Sequence, residues 1–325
     1  MRDEPGKGFA PDPDRRLLGF SVGILILNLG VILWGALVRA TGSGAGCGSH
    51  WPLCNGEVIP IAPALETWIE FGHRALSGLA LIGVGILWVW VLRRHRRGTP
   101  IRRWVWGAMV LVVIEALVGA GLVLMGWVAD DTSSARAVSI AVHLIITYGL
   151  LACLGLVSWY AAGPSPDSAG PRIRPVVAVS LLLGMTLVGI TGAITALGDT
   201  LFPAATLAEG VSQDFVAESH FLVRLRVVHP LAAIVVAAGL LAWQGTRRRQ
   251  VGMASVERRW LSTLRGIVLL QLAAGVVNIV LLAPVWMQIL HLLLADLAWL
   301  TLVVCLVQGR SARPTELADS HPAFA

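Results

Sequence analysis

Residues 70–92 begin with Glu70-Phe-Gly-His73-Arg74 and continue as ALSGLALIGVGILWVWVL, an apolar run with one histidine near its start. A helix needs roughly 20 apolar residues to cross a bilayer, and this run is long enough. An ionisable side chain inside such a helix is costly and is usually functional. The same arrangement, a histidine a few residues inside a long apolar run, returns at His143, His229 and His291.

The composition excludes an ordinary soluble domain. Of the 325 residues, 56% are hydrophobic and 14% are charged, and the mean hydropathy is +0.76. We therefore expect an all-α polytopic membrane protein with eight transmembrane helices. The apolar runs lie at about 17–38, 70–92, 104–126, 137–160, 175–197, 224–244, 262–282 and 286–308.

The distribution of positive charge predicts the orientation. All but five of the 25 Lys and Arg residues fall on one side of the predicted membrane. The positive-inside rule then places both termini in the cytoplasm, and the histidines near the outer face of the plasma membrane. The net charge of +6 is explained by this topology and needs no nucleic-acid partner. The five exceptions are Arg39, Arg74, Arg136, Arg224 and Arg226.

The two halves of the chain repeat each other weakly, as expected of a duplicated bundle. His229 follows His73 by 156 positions, and His291 follows His143 by 148. Further matches pair Glu115-Ala-Leu-Val-Gly119 with Gln271-Leu-Ala-Ala-Gly275, and Leu29-Gly30 plus Gly35 with Leu183-Gly184 plus Gly189. We predict two pseudo-symmetric four-helix bundles, with these boundaries: a cytoplasmic tail at 1–16, an N-terminal half at 17–162, a cytoplasmic linker at 163–175, a C-terminal half at 176–309 and a cytoplasmic tail at 310–325.

The arrangement of the histidines favours metal ligation. A single membrane histidine more often forms a hydrogen bond between helices, but here four lie at one depth on alternate spans. Bis-imidazole ligation of iron needs two axial nitrogens from facing helices, so two pairs predict two haems. They would lie one turn inside the spans, roughly 5–8 Å below the outer interface. Zinc would need further Cys, His or carboxylate ligands at the same point, which the sequence offers less clearly.

The arginines on the histidine side have two interpretations. Arg39, Arg74, Arg224 and Arg226 suit haem propionates. Arg74 directly follows a histidine, and the last two precede another histidine by five and three positions. Ordinary snorkelling to the membrane interface explains the same arginines equally well.

The halves differ three residues before the first histidine of each. Glu70 precedes His73 and Arg226 precedes His229, and residues at this spacing share a helix face. A carboxylate there can move a proton or stabilise a developing cation, whereas an arginine favours holding a propionate. Spacing alone leaves open the alternative that Glu70 only complements the helix dipole.

The first outer loop contains Cys47-Gly-Ser-His50-Trp-Pro-Leu-Cys54. Because the predicted compartment is oxidising, a disulfide between Cys47 and Cys54 is plausible. The alternative is a metal bound by Cys47, His50 and Cys54, for which no fourth ligand is evident. We interpret the polar residues inside the spans as interhelical hydrogen-bond partners; they are Asn28, Glu115, Gln271, Asn278 and Asp296.

These motifs together resemble haem A synthase, the membrane enzyme that matures haem for haem-copper terminal oxidases. The resemblance covers about residues 17–308. The motifs that carry it are Glu70-x-x-His73-Arg74, His143, His229-Pro230, His291-Leu-Leu-Leu-Ala295 and Cys47…Trp51-Pro52-Leu53-Cys54-Asn-Gly56.

The resemblance implies an oxidoreductase acting on a CH group, which converts a ring methyl of haem O to a formyl group through a hydroxymethyl intermediate. It implies that His229 and His291 ligate a haem b cofactor and that His73 and His143 face the substrate, haem O. Glu70 becomes the catalytic carboxylate. The implied partners are haem O synthase, assembly factors of haem-copper oxidases and the lipid bilayer.

One departure from the family pattern limits what carries over. Many bacterial relatives have a cysteine pair in the loop after the fifth span, but residues 198–223 contain none here. Cys47 and Cys54 keep only the role of the first pair, which is to stabilise the loop or to relay electrons.

Two other functions fit the four histidines. One is a diheme b-type protein that transfers electrons within the membrane, and the other is a haem transporter or chaperone. Glu70 discriminates between them and the enzyme, because only the enzyme needs a carboxylate beside a single histidine.

Overall fold

A computed structural model describes residues 14–163, 173–251 and 253–308, whose regular structure is helical. The helices are α1 (Arg15–Ala40), α2 (Leu65–Arg94), α3 (Pro100–Leu124), α4 (Ser134–Ala161), α5 (Pro175–Leu201), α6 (Leu207–Phe215), α7 (Phe221–Arg224), α8 (Val228–Arg248), α9 (Ser255–Val280) and α10 (Val285–Gln308). Short 3-10 turns lie at Ser43–Ala45 and Leu225–Val227. The predicted tails, except residues 14–16, and most of the predicted linker lie outside the described residues.

Eight helices in the described part of the chain are long and apolar enough to cross a membrane, which confirms the predicted class. The sixth of these runs over Phe221–Arg248 and includes α7, a 3-10 turn and α8. The turn has a local cause. Pro230 has no backbone N–H, and its ring crowds the carbonyl group of Arg226, so the α-helical pattern is interrupted just before it.

Helices α1 to α4 pack in a ring, each against the next and α4 against α1. Helices α5, α8, α9 and α10 form a second ring in the same order. The rings meet through α1, α4, α5 and α10, and the largest buried cluster lies across this junction. At its centre the rings of Tyr148 and Trp299 stack with centroids 4.5 Å apart, and the indole N–H of Trp299 donates to the carbonyl oxygen of Tyr148 at 2.8 Å.

At one end of the molecule, Arg39 connects the first ring of helices to the second. Its guanidinium donates to the carbonyl oxygen of Ala196 at 2.6 Å and to the hydroxyl of Thr200 at 2.8 Å, both on α5. It also donates to the side-chain oxygen of Gln288 on α10 at 2.8 Å. Since Arg39 belongs to α1, one side chain of the first half contacts two helices of the second. We call this end, where α2, α4 and α10 begin, the histidine end.

At the opposite end an ion pair is buried between α8 and α9. The guanidinium of Arg247 lies 2.7 Å from a carboxylate oxygen of Glu257, and both side chains are at most 3% exposed. A pocket at this end is lined by three arginines, Arg248, Arg258 and Arg259, together with Ser255, Ser262 and Thr263.

We expect Arg39→Met to lower the midpoint of thermal unfolding in detergent by roughly 5 °C or more. Hydrogen bonds to charged groups contribute about 1.5–3 kcal/mol each, and about 1 kcal/mol shifts the midpoint by about 2–4 °C in a domain of roughly 150–250 residues and by somewhat less in a longer chain. Arg94→Met is the matched control, because the Arg94 side chain is 68% exposed and its pair with Asp14 contributes little. Equal shifts in the two variants would contradict the role of Arg39.

Candidate functional site

All four predicted histidines lie at the histidine end, on α2, α4, α8 and α10. Counted from the first residue of the helix or span, His291 is six residues in, His73 and His229 are eight, and His143 is nine. At 1.5 Å per residue this is about 9–14 Å. The predicted depth of one turn was counted from the apolar runs, and the helices begin earlier because polar residues such as Glu66 and Thr67 form their first turn.

His229 and His291 form the second pair. Their ring centroids are 6.3 Å apart, and the ring planes are nearly perpendicular. Metal–imidazole bonds are about 2.0–2.1 Å long, so two imidazoles on opposite sides of one metal have ring centres roughly 6 Å apart. The hydroxyl of Thr191 lies 3.3 Å from Nδ1 of His229, which leaves Nε2 of that ring for a ligand.

His73 and His143 form the first pair. They lie on α2 and α4, which both pack against α1 and α3. The Nδ1 atoms of both rings are buried without a hydrogen-bond partner in the described part of the chain. No cluster of three or more His, Cys, Asp or Glu side chains among the described residues is arranged for a bare metal ion. Pairs of imidazoles fit the axial positions of a haem better than they fit a zinc site.

Glycines on neighbouring helices make room for three of the four rings. A Cβ atom on Gly35 would lie 3.0 Å from Cε1 of His73, one on Gly192 2.9 Å from Cε1 of His229, and one on Gly275 3.3 Å from Cε1 of His291. Gly192 thus occupies the place in the second half that Gly35 occupies in the first. The match of Gly35 with Gly189 in the sequence was therefore wrong by three residues. Gly189 instead faces the ring of Tyr148, at the junction of the halves.

In three of the four histidine-bearing spans, the residue three positions before the histidine binds the backbone of the preceding loop or of the helix end before that loop. Glu70 accepts a hydrogen bond from the backbone N–H of Cys47 at 2.7 Å. Arg226 donates to the carbonyl oxygens of Gly198 at 2.7 Å and Phe202 at 2.6 Å. Gln288 donates to the carbonyl oxygen of Ala283 at 2.6 Å. The negatively charged Glu70 therefore accepts from a backbone N–H group, whereas the positively charged Arg226 donates to backbone carbonyl groups.

In the first half Arg74 reinforces this connection. Its guanidinium forms an ion pair with Glu70, and it donates to the carbonyl oxygens of His50 at 2.5 Å and Leu53 at 2.7 Å. The carboxylate of Glu70 is therefore buried and bound on both oxygens, one by Arg74 and the other by Cys47.

The loop that Glu70 and Arg74 bind is closed by a disulfide between Cys47 and Cys54, which confirms the prediction. Both cysteines are buried. Because their sulfur atoms are joined, they do not form the metal site with His50 that was the alternative.

The four arginines predicted to hold propionates differ in their surroundings. Arg39 and Arg74 bind the protein as described above, and Arg226 also forms an ion pair with Asp199 at 3.0 Å. Arg224 is exposed. Among the four, Arg224 is the one whose side chain points away from the packed interior.

Two polar residues that the sequence indicated only as interhelical partners contact the histidines directly. Oε1 of Glu115 on α3 lies 3.6 Å from Nδ1 of His143, and Nε2 of Gln271 on α9 lies 3.2 Å from Nε2 of His291. Their matched positions in the repeat were a signal that sequence reasoning did not use. Thr191 and Gly192 were missed because no repeat match marked them.

A family model described as cytochrome oxidase assembly protein, COX15-CtaA, matches residues 19–303 of this chain. The chain belongs to this family. The match includes all eight candidate spans almost completely, and with them the four histidines, the disulfide loop and Glu115.

Several known proteins are similar to this chain over different shares of its length. A Thermus thermophilus protein named protoheme IX farnesyltransferase is 48% identical over 316 residues, which cover 95% of this chain and 51% of that protein. A haem A synthase of Alkalihalophilus pseudofirmus is 47% identical over 108 residues, covering 33% of this chain and 34% of the relative. A haem A synthase of Exiguobacterium sibiricum is 32% identical over 180 residues, covering 55% and 59%. The chain thus spans about half the length of its Thermus relative.

We expect mass spectrometry after alkylation without reductant to show Cys47 and Cys54 linked and unmodified. Cys153 and Cys305 serve as internal controls, since both are buried free thiols that become alkylated only after denaturation. Alkylation of Cys47 or Cys54 before reduction would contradict the disulfide.

Proposed function

We propose that this protein is a haem A synthase, an oxidoreductase acting on a CH group. It would convert a ring methyl of haem O to a formyl group through a hydroxymethyl intermediate. The observation that carries the proposal is an asymmetry between two similar histidine pairs. The first pair has two carboxylates nearby, Glu70 and Glu115, whereas the second has Arg226 and Gln271 in the matching positions. The printed names of the Alkalihalophilus and Exiguobacterium relatives support the same activity.

We assign the second pair to a haem b cofactor. His229 and His291 would supply the axial nitrogens, with their separation of 6.3 Å and the space provided by Gly192 and Gly275 supporting the fit. Such a group, when bound, supplies reversible one-electron chemistry, while the protein controls its orientation and electrostatics. Thr191 would fix the ring of His229 through Nδ1.

We assign the first pair to the substrate, haem O, facing His73 and His143. Here the residues of the chain orient the substrate and exclude water. Glu70 is the proposed catalytic carboxylate, since it lies one helical turn from His73 and is held rigidly by Arg74 and Cys47. Its role would be to stabilise positive charge at the reacting methyl group or to accept its proton. Of the four arginines proposed as propionate partners, Arg224 precedes His229 of the second pair and is exposed, while Arg39, Arg74 and Arg226 would have to share their existing contacts.

The proposed location is the plasma membrane, with both termini in the cytoplasm and the histidine end near the outer face. The excess of Lys and Arg at the opposite end supports this orientation. The proposed partners are haem O synthase, assembly factors of haem-copper oxidases and the bilayer, with no nucleic acid. The Thermus relative is named protoheme IX farnesyltransferase, and this chain matches about half of it. This supports a link between the proposed haem A synthase and the enzyme that supplies haem O.

Electron transfer or haem transport remains the weaker interpretation. Both need four histidines, but neither explains why only one pair has carboxylates beside it. A diheme electron carrier would also have its two haems at one depth, so that electrons would move along the membrane rather than across it.

We expect the purified protein to show a low-spin b-type spectrum, and cells that also make haem O to yield haem A on pigment extraction. His229→Ala and His291→Ala should remove the tightly bound haem. His73→Ala and His143→Ala should retain it and mainly reduce the bound substrate and product. If all four changes removed one common haem equally, the two-site proposal would be wrong.

We expect Glu70→Gln to reduce haem A formation by about 100-fold, which is the loss typical of removing a positioned acid or base. Haem O or its hydroxymethyl form should accumulate instead. The substitution also turns an amide towards the guanidinium of Arg74 and so weakens the loop contact. Thr67→Ala is therefore the matched control, because it removes the 2.7 Å hydrogen bond from the Thr67 hydroxyl to the carbonyl oxygen of Gly46 in the same loop but keeps Glu70 and Arg74. A much smaller loss in Thr67→Ala is expected, and equal losses would assign Glu70 to the loop alone.

A further inference from the structure

The repeat places a different polar group against the second histidine of each half. Glu115 and Gln271 occupy matched positions on α3 and α9, four residues before Gly119 and Gly275. Glu115 lies 3.6 Å from Nδ1 of His143, whereas Gln271 lies 3.2 Å from Nε2 of His291. A carboxylate in one half and an amide in the other thus lie against the second histidine of each half, although they face different nitrogens of the ring.

The carboxylate of Glu115 is held in position by one neighbour. The hydroxyl of Thr147, one turn after His143, donates to Oε1. The second oxygen of Glu115 and Nδ1 of His143 are both buried without a hydrogen-bond partner in the described part of the chain. In the second half the residue that matches Thr147, four after the histidine, is Ala295, so no hydroxyl orients Gln271 there.

The chemistry of these two groups differs in a defined way. A carboxylate only accepts hydrogen bonds, so the imidazole nitrogen that faces it must carry the proton, and the other ring nitrogen is left for a metal. An amide can donate or accept, and it is neutral. A carboxylate behind a ligating imidazole fixes the orientation of the ring and makes it a stronger electron donor to the metal.

We propose that Glu115 is a positioning residue of the first site, acting through His143. With haem bound, its carboxylate, which lies 3.6 Å from Nδ1 of His143 in the structure, would accept the N–H of Nδ1 and leave Nε2 for the iron of the substrate haem. The stronger donor favours the oxidised iron, so the first site binds ferric over ferrous haem more strongly than the second site does. This inference rests on the proposed function, since it requires a haem between His73 and His143.

The test uses the full-length protein in detergent, loaded with hemin, in a background where only one site remains. In His291→Ala protein the first site is measured alone by spectroelectrochemical titration. Glu115→Gln should reduce the preference for ferric haem about tenfold, which raises the reduction potential by about 59 mV for a one-electron couple. Thr147 can still donate to the amide oxygen, so a merely structural role of Glu115 would leave the potential unchanged.

The matched variant is Gln271→Glu in His143→Ala protein, where only the second site remains. It should change the potential in the opposite direction by a similar factor. Glu115→Gln in the same background should have no effect, because its histidine is absent. This arm keeps the test decisive even if Glu115→Gln fails to bind hemin at the first site.

The outcomes separate the inference from the proposed function. If His291→Ala protein binds no hemin at all, the first site is not a haem site and the proposed function fails. If it binds hemin, but neither Glu115→Gln nor Gln271→Glu changes the potential, the proposed function stands and the role of Glu115 is overturned.

Discussion

Burying an imidazole, a carboxylate or a guanidinium in a helix that crosses a membrane is costly unless a neighbour supplies a partner. Most of the architecture at the histidine end follows from this constraint. Glu70, Arg226 and Gln288 each bind backbone groups of the loop before their helix, and Arg39 binds three groups on two helices of the other half. These four side chains thus gain partners, whereas the Nδ1 atoms of His73 and His143 are buried without one in the described part of the chain.

Duplication makes the differences between the halves informative. The scaffold places a histidine on each of four helices and a polar group beside the second histidine of each half. What changes is charge. The first half has Glu70 and Glu115 where the second has Arg226 and Gln271. Since both halves keep the same order of helices around the ring, the two sites can differ in chemistry while sharing one fold.

The junction between the halves holds the two sites at a fixed separation. Helices α1, α4, α5 and α10 all contribute to it, with the stacked rings of Tyr148 and Trp299 at its centre and Arg39 at the histidine end. Side chains in such a packed interior cannot move far without losing contacts. The packing of these four helices therefore helps to set the spatial relation of the two pairs.

The sequence by itself determined the eight spans, the four histidines and the Cys47–Cys54 disulfide, because hydropathy, residue type and short spacing are local properties. Only the tertiary structure decided that Gly192 rather than Gly189 lies against His229, that Glu115 meets His143, and that Arg39 reaches across to α5 and α10. These contacts depend on how each helix is rotated about its axis and which helix it faces. A helix that is apolar on all sides carries little of that information in its sequence pattern, so packing against its neighbours fixes the rotation.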